Sequence, residues 1–495
     1  MRIAHLIKPN AKCETPSRAL FVKLHIQRAG RMGRETTYAF DRGCAIFAKR
    51  NNKNTRWLFR TFTLSTPATF WSIVNRVVSE KTRTYILIEN ATQTLALLDV
   101  FNMGFKRGWT WYQVVIECPP TMIRARSDRG SIVFLETRNV WPEPLTSTFC
   151  GAKICLASKS KNATACANVD EKLLRDVETL KSSWIAWWAF LKANDLGGFA
   201  STLGSQAVRA FKHRFMRTPL LVDTNTDALA LARDAYKGGR SECFYVGHTV
   251  GKFYLVDVNS MYASIMATLK LPYRLRGYST HATREDIRRW AKDYTVIMDA
   301  DIRMVYPIFA ERKDGRLTFP VGEFRTTLAG SEVIYALRYA KILQVHRIAV
   351  YEHAPIFQEF VLHFWQRRAE AIACEDWTNA GRYKLLLASF YGKWAQKGGV
   401  WETVEHIRSS KTRTWIEVDA VTNERSEWRE FGGIRQRRSK ETESFESMPA
   451  IAASITAGAR MMLWGLIWQA KPQHVYYCDT DSLLVDQEGF SNLKD

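Results

Sequence analysis

The sequence predicts a multidomain chain of mixed α/β and α+β class. Three observations lead there. At 495 residues the chain exceeds what one compact core holds, so two or three domains are expected. Through the first 150 residues, short β-rich runs ("ALFVKLHI", "GCAIFAK", "TYILIEN", "GSIVFLETRNVW") alternate with helical stretches ("TFWSIVNRVVSE", "TLALLDVFNMGF"), as in helices packed on a mixed sheet. A glycine-containing junction, "DAYKGGRSECFYVG", then precedes a second half of different rhythm, and the domain boundary is placed near it.

The elements follow in order. "DEKLLRDVETLKSSWIAWWAFLKAND" carries apolar residues at helical spacing and stops at Gly197-Gly198. The second half opens with the strand "KFYLVDV". Helices are expected around 328–345, 355–375 and 380–396, then a basic, turn-rich segment near 398–440. Its "GGIRQRRSK" stretch reads most simply as a solvated surface loop. The long apolar helix "PAIAASITAGARMMLWGLIWQA" comes next and leads into "HVYYCDTDSLLV", two strands joined by a tight acidic turn.

Charge narrows the function. With 71 Lys and Arg against 49 Asp and Glu, the formal charge is +22, which favours a polyanionic partner. Nucleic acid is preferred to a membrane, because no apolar stretch is expected to approach the ~20 residues a span needs. The 17 Trp and 18 Tyr suit stacking on bases, although most belong in a core. Nine cysteines without a CxxC signal neither a zinc ribbon nor a disulfide framework. Cys150, Cys155 and Cys166 come nearest to a cluster and read as buried free thiols, which implies a reducing compartment. The basic N-terminus lacks a secretory apolar core.

Against that positive background the acidic turn stands out. Residues two apart on a strand or turn project to one side, so Asp479 and Asp481 point together. Asp257 ends another apolar strand just before a helix that starts near Ser260. Each has an ordinary reading, as a turn residue or a helix cap. Together they offer the hard oxygen ligands that suit Mg²⁺, and two such ions about 3.5–4 Å apart support in-line phosphoryl displacement. In "RYKLLLASFYGKWAQK", Lys384, Ala388 and Tyr391 fall at i, i+4 and i+7, one face of a helix able to hold a nucleotide. Gly392 beside them would admit a template base close to the backbone.

The ordered stretches "DVNSMYASIM", "KLLLASFYGK" and "YCDTDS" resemble motifs A, B and C of family B DNA polymerases, above all the protein-primed branch of phages, viruses and linear plasmids. "YKGG", "RLTFPVGEF" and "FVLHFWQRRAEA" resemble further segments of that branch. Reverse transcriptases carry adjacent aspartates at the turn, which Thr480 separates here. The resemblance implies a ribonuclease H-like exonuclease-type domain over 1–225, a junction over 226–250, and a polymerase palm with helical fingers over 251–495. It leads one to expect a thumb beyond Asp495, so the sequence reads as a fragment.

Roles follow from the same resemblance. Asp257, Asp479 and Asp481 are the expected catalytic acids, with Asp257, Asp481 and the Val258 carbonyl holding two Mg²⁺ ions, for which Mn²⁺ substitutes. Ser260, Met261, Tyr262, Arg368, Lys384 and Tyr391 are expected at the nucleotide. Tyr236, Gly238, Gly239, Ser389, Gly392 and Lys393 are expected at DNA. Ala388 and Ala263 depart from the family's usual Asn and Pro. In the first domain the exonuclease acids are missing: Lys23 and His25 fall at the Asp-x-Glu positions, and Thr94 where an acid belongs. Asn90 and Asp176 remain, and Asp41 is rejected as a substitute. The expected activity is template-directed DNA synthesis, with the proofreading exonuclease lost, by a monomer acting on DNA primer-template and deoxynucleotides. A terminal priming protein is the further partner, in a host cytoplasm or a mitochondrion. The rival reading is a catalytically weak or inactive polymerase-like DNA-binding replication protein.

Overall fold

The computed structural model describes residues 3–32, 35–50, 56–117, 119–142, 145, 169–398, 401–408, 412–439 and 442–494, with the backbone alone at 31–32 and 35–37. The cysteines expected as a cluster, Cys150, Cys155 and Cys166, lie outside the described residues.

The first half is built on a seven-stranded mixed sheet. From one edge its strands run Trp57–Leu64, Glu35–Arg50, Arg18–Met32, Thr84–Ile88, Gly130–Glu136, Thr121–Ser127 and Thr110–Ile116. The three central strands are parallel and the remaining pairings antiparallel. Alternation along the strand Arg18–Met32 sends Leu20 and Val22 to one face and Ala19 and Phe21 to the other. The first pair packs with Phe70, Trp71 and Val74 of the helix Pro67–Val77. The second packs with Trp184, Trp187 and Trp188 of the helix Val169–Ala193. The expected helix over "TLALLDVFNMGF" is two short ones, Ala91–Leu97 and Val100–Lys106, with Asp99 between them in the left-handed region at φ 45°.

The second half holds three four-stranded sheets. One, in the order Ser241–Cys243, Val475–Asp479, Ser482–Asp486, Phe253–Asp257, carries the acidic turn. Another joins Leu271–Ser279, Lys341–Ala354, Thr295–Met304 and Gly322–Ala329. This corrects the helix expected over 328–345: it spans only Ser331–Tyr339, and a long strand begins at Lys341. The expected helices near 355–375 and 380–396 are Gln358–Ala373 and Trp377–Ala388, the latter followed by a 3₁₀ turn, Tyr391–Ala395.

The third sheet, Trp401–His406, Ile434–Arg438, Arg425–Phe431 and Arg413–Val418, replaces the turn-rich segment expected near 398–440. Its "GG" is not a solvated loop. Gly432 and Gly433 adopt φ of 50° and 82° in a hairpin turn docked on the first half. A Cβ at Gly432 would meet the Trp111 ring at 2.5 Å, and one at Gly433 the Phe105 ring at 2.2 Å. Phe431 and Ile434 accordingly belong to the core around Trp71 and Trp111.

The helix Pro449–Ala470 runs through the centre. By length and composition it passes as a membrane span, which corrects the expectation that no apolar stretch comes close. Its most apolar window is 78% buried inside the protein, so this hydrophobicity serves the core. One continuous apolar core joins the halves, from Phe21 and Trp184 through Phe211, Phe360 and Phe390 to Cys478 and Leu483. Among the described residues five cysteines are free thiols, and Cys44 and Cys478 are buried.

Candidate active site

The acids meet because two strands are held in register. Asp257 pairs with Ser482 at the end of its strand, and Asp479 pairs with the same Ser482 across the hairpin. Thr480 takes φ 58°, and the Val258 amide donates to the Asp481 carbonyl at 2.8 Å, fixing the turn against the strand of Asp257. The Asp481 carboxyl is held above its ordinary range, first by burial and then by the nearby charges of Asp257 and Asp479. Asp479 Oδ1 accepts only from the Thr480 hydroxyl, at 3.1 Å. None of the three acids has a basic partner among the described residues. In a chain of net charge +22, neighbouring carboxylates without a basic partner among the described residues suit a hard divalent ion.

Beside them, Ser260 takes the left-handed conformation at φ 60° and starts the helix Met261–Thr268. The Met261 side chain is 1% exposed and lies in the core, so the nucleotide contact expected of this residue falls to its backbone at the helix start. Tyr262 stacks on Tyr391, ring centroids 4.4 Å apart and planes 20° from parallel. Burial, and then Tyr391, push the Tyr262 phenol well above its ordinary range. The Tyr236 phenol is raised by burial and by Tyr391 too, so the three tyrosines form one group. The expected i+7 relation fails in one respect: the helix ends at Ala388, Ser389 caps it, and the 3₁₀ turn carries Tyr391. Lys384 and Ala388 do share its exposed face. Arg368, half-buried, stands on the neighbouring helix; neither it nor Lys384 has an ion-pair or hydrogen-bond partner among the described residues. A Cβ at Gly392 would meet open space, so packing does not demand this glycine. Lys393, its pKa lowered by burial, lines a cavity of about 360 Å³ with Arg209 and Lys212.

The segment Tyr236–Gly239 packs under the acidic turn. The Thr480 amide donates to the Arg240 carbonyl at 2.7 Å, and a Cβ on Gly239 would lie 2.8 Å from Thr480 Cγ2 and 2.9 Å from its Oγ1. Gly238 is looser, with Leu317 at 3.9 Å. Gly239→Ala is therefore expected to cost about 1–3 kcal/mol by overpacking against a stiff β-branched neighbour. Adding Thr480→Ser, which removes Cγ2, restores part of the loss in thermal unfolding; equal melting of wild type and Gly239→Ala would refute the close fit.

Three buried cations here escaped sequence reading. Arg460 pairs with Glu332 at 2.9 Å and donates to the carbonyls of Lys237 and Gly238 at 2.9 and 2.7 Å. Lys237 donates to the carbonyls of Ala310 and Thr327 and to the Thr326 hydroxyl, while burial pushes its pKa down to about 8. Arg240 donates to the Pro307 carbonyl and stacks over Phe319, 4.1 Å from its centroid. A signal for Arg460 existed: it is the only charge in an otherwise apolar helix.

In the first half, Lys23 forms an ion pair with Glu89, a residue that sequence reading passed over. Burial lowers the Lys23 pKa and the charge of Asp176 partly restores it. Lys23 and Glu89, with Asn90 and Thr94, border a cavity of about 190 Å³. Asn90 Nδ2 donates to Gln93 at 2.6 Å, and Thr94 donates to the Glu89 carbonyl at 3.0 Å. Asp41 accepts from His25 and Arg42, both at 3.0 Å.

Comparison with known proteins bears on the family and the fold. The family described as DNA polymerase type B, organellar and viral, matches residues 198–455, more than half of the chain. The chain belongs to that family. It is 26% identical over 259 residues to the DNA-directed DNA polymerase of Enterobacteria phage PRD1, a match covering 51% of this chain and 43% of that relative's length. The fold is similar to that of Phi29 DNA polymerase complexed with primer-template DNA and incoming nucleotide, with TM-score 0.67, 14% identity, and 95% of this chain and 81% of that one covered. The same enzyme complexed with single-stranded DNA gives TM-score 0.65 at 15% identity, covering 95% and 80%.

Proposed function

We propose that this chain is a template-directed DNA polymerase that adds deoxynucleotides to a 3′ hydroxyl. The observation carrying the reading is the set of Asp257, Asp479 and Asp481, with the charges of Asp257 and Asp479 acting on Asp481 and no basic partner among the described residues of a strongly basic protein. Asp257 and Asp481 would hold two Mg²⁺ ions, with Asp479 and the Val258 carbonyl in support. When bound, such ions activate the attacking hydroxyl and neutralise the leaving pyrophosphate. The protein's own groups do the positioning. Arg368 and Lys384, without ion-pair or hydrogen-bond partners among the described residues, grip the triphosphate. Tyr262 on Tyr391 presents a flat, rigid wall to the sugar and base. The segment Tyr236–Gly239 and Lys393 follow the template backbone. Residues 251–495 are read as palm and fingers, 226–250 as the junction, and the protein as a monomer that accepts a protein primer. The test is primer extension with Mg²⁺ against an Asp481→Asn control; equal extension by both would eliminate the mechanism, and none by either would favour a DNA-binding protein without catalysis.

The first 225 residues are read as a ribonuclease H-like exonuclease-type unit that no longer hydrolyses DNA. A divalent site needs several free oxygens, and here the Lys23 ammonium pairs with Glu89 and feels the charge of Asp176. A primer with a 3′ mismatch, incubated with Mg²⁺ and no nucleotides, is expected to stay intact. Its removal at a rate abolished by Asp176→Ala would overturn this.

A further inference from the structure

Away from the acids, three chain segments bring Cys13, Asp195 and His213 together, with ligand atoms all within 4.8 Å of one another. Cys13 lies on the N-terminal arm. Asp195 follows the helix Val169–Ala193 in the left-handed region at φ 52°. His213 sits in the π-helical turn Phe211–Phe215. Backbone hydrogen bonds hold the arm there: the Asn10 amide donates to the Lys212 carbonyl at 2.9 Å, and the amides of Gly198 and Phe199 donate to the carbonyls of Lys12 and Glu14 at 2.7 and 2.8 Å.

The hydrogen-bond arithmetic at His213 is unusual. Its Nδ1 lies 2.8 Å from the Asn10 carbonyl oxygen, which can only accept, so Nδ1 carries a proton. The neutral ring then points the Nε2 lone pair at Asp195 Oδ1, 2.8 Å away, acceptor against acceptor. The Cys13 sulfur adds a third donor atom 3.6 Å from the same nitrogen. Either the ring takes a second proton, or a cation lies among the three atoms. A backbone carbonyl on the far ring nitrogen is the usual partner of a metal-bound histidine, since it fixes the tautomer.

We propose that Cys13, Asp195 and His213 form a zinc site, with solvent in the fourth position. Tetrahedral zinc, at about 2.3 Å from sulfur and about 2.0–2.1 Å from nitrogen or oxygen, places N and S about 3.6 Å apart and N and O about 3.3 Å apart. The observed Cys13–His213 separation already matches. Asp195 has only to swing out by roughly half an ångström, and its side chain is 66% exposed. His213, at 10%, is the anchored ligand. The N, S and O set favours zinc over magnesium, in contrast to the all-oxygen acids at the other site. The ion would staple the N-terminal arm to the end of the helix Val169–Ala193 and to the π-helical turn Phe211–Phe215.

The test uses the full chain, stripped with chelator and kept reduced, with Co²⁺ as a spectroscopic probe in excess Mg²⁺. One equivalent of Co²⁺ is expected to produce a thiolate-to-cobalt charge-transfer band that Zn²⁺ displaces, and Zn²⁺ to raise the melting temperature. Both effects should vanish in Cys13→Ala, whose exposed side chain leaves the fold intact. Absence of the band would overturn the proposal and leave a His213–Asp195 ion pair alone. A band that persists in Cys13→Ala would overturn it as well, pointing to another thiol of the chain, such as Cys243 or Cys374, which are exposed among the described residues.

Discussion

Asp481→Asn is expected to reduce primer extension by about a thousandfold or more, while making the metal-free protein more stable. The loss follows from removing one ligand of an ion worth several kcal/mol of transition-state stabilisation; about 4 kcal/mol corresponds to about a thousandfold. The stability gain follows from the direction of the Asp481 shift. Its carboxyl has a folded pKa above the unfolded value of 3.8, because burial and the charge of Asp257 disfavour ionisation. Between those two pKa values the folded state binds more protons than the unfolded state, so stability falls as pH rises through the folded pKa. At neutral pH the group is charged and unfavourable, and Asn removes the charge at nearly constant shape. Thermal unfolding in chelator should therefore show the variant melting higher than wild type at neutral pH, with the gap closing on acidification below pH 3.8. Added Mg²⁺ should stabilise wild type and leave the variant little changed. A variant that melts lower in chelator, or extends primers normally, would refute the paired-acid site.

The second large effect concerns Arg460. Arg460→Met is expected to destabilise the protein by about 3–5 kcal/mol, because it strands a buried Glu332 charge. Both side chains are at most 1% exposed. Adding Glu332→Leu removes the stranded charge and should recover most of the denaturation midpoint, as apolar replacements of buried pairs commonly do. Extension should not recover with it. The carbonyls of Lys237 and Gly238 would still lack the guanidinium that holds them at 2.9 and 2.7 Å, and the segment beneath the acidic turn would loosen. If the double variant recovers activity along with stability, Arg460 is a packing residue only. The measurements are urea unfolding followed by primer extension at matched folded fraction.

These expectations differ in how far they were legible before the fold was known. The acidic turn was readable because a two-residue period and a tight turn are local, and locality suffices to say that Asp479 and Asp481 share a strand end. The helix Pro449–Ala470 was readable for the same reason. The sheet between Trp401 and Arg438 was not: its strands are largely exposed and rich in charge, so no apolar alternation marks them. That the Met261 side chain turns into the core was not legible either, because motif position alone does not say which way a side chain turns. At Lys23 the missing acid was visible in the chain, whereas its partner Glu89 was not, since they meet across two parallel strands.

From the chain alone come its net charge, its strand-end acids, its long apolar helix and the absence of an acid at residue 23. Periodicity and composition are properties of neighbours, and neighbours are written in order. The tertiary structure decided what those residues face: Asp257 against Asp481, Tyr262 against Tyr391, Arg460 beneath the glycine segment, Gly432 and Gly433 pressed onto aromatic rings. Contacts between residues hundreds of positions apart depend on how every intervening element packs, and no short window of sequence contains that information.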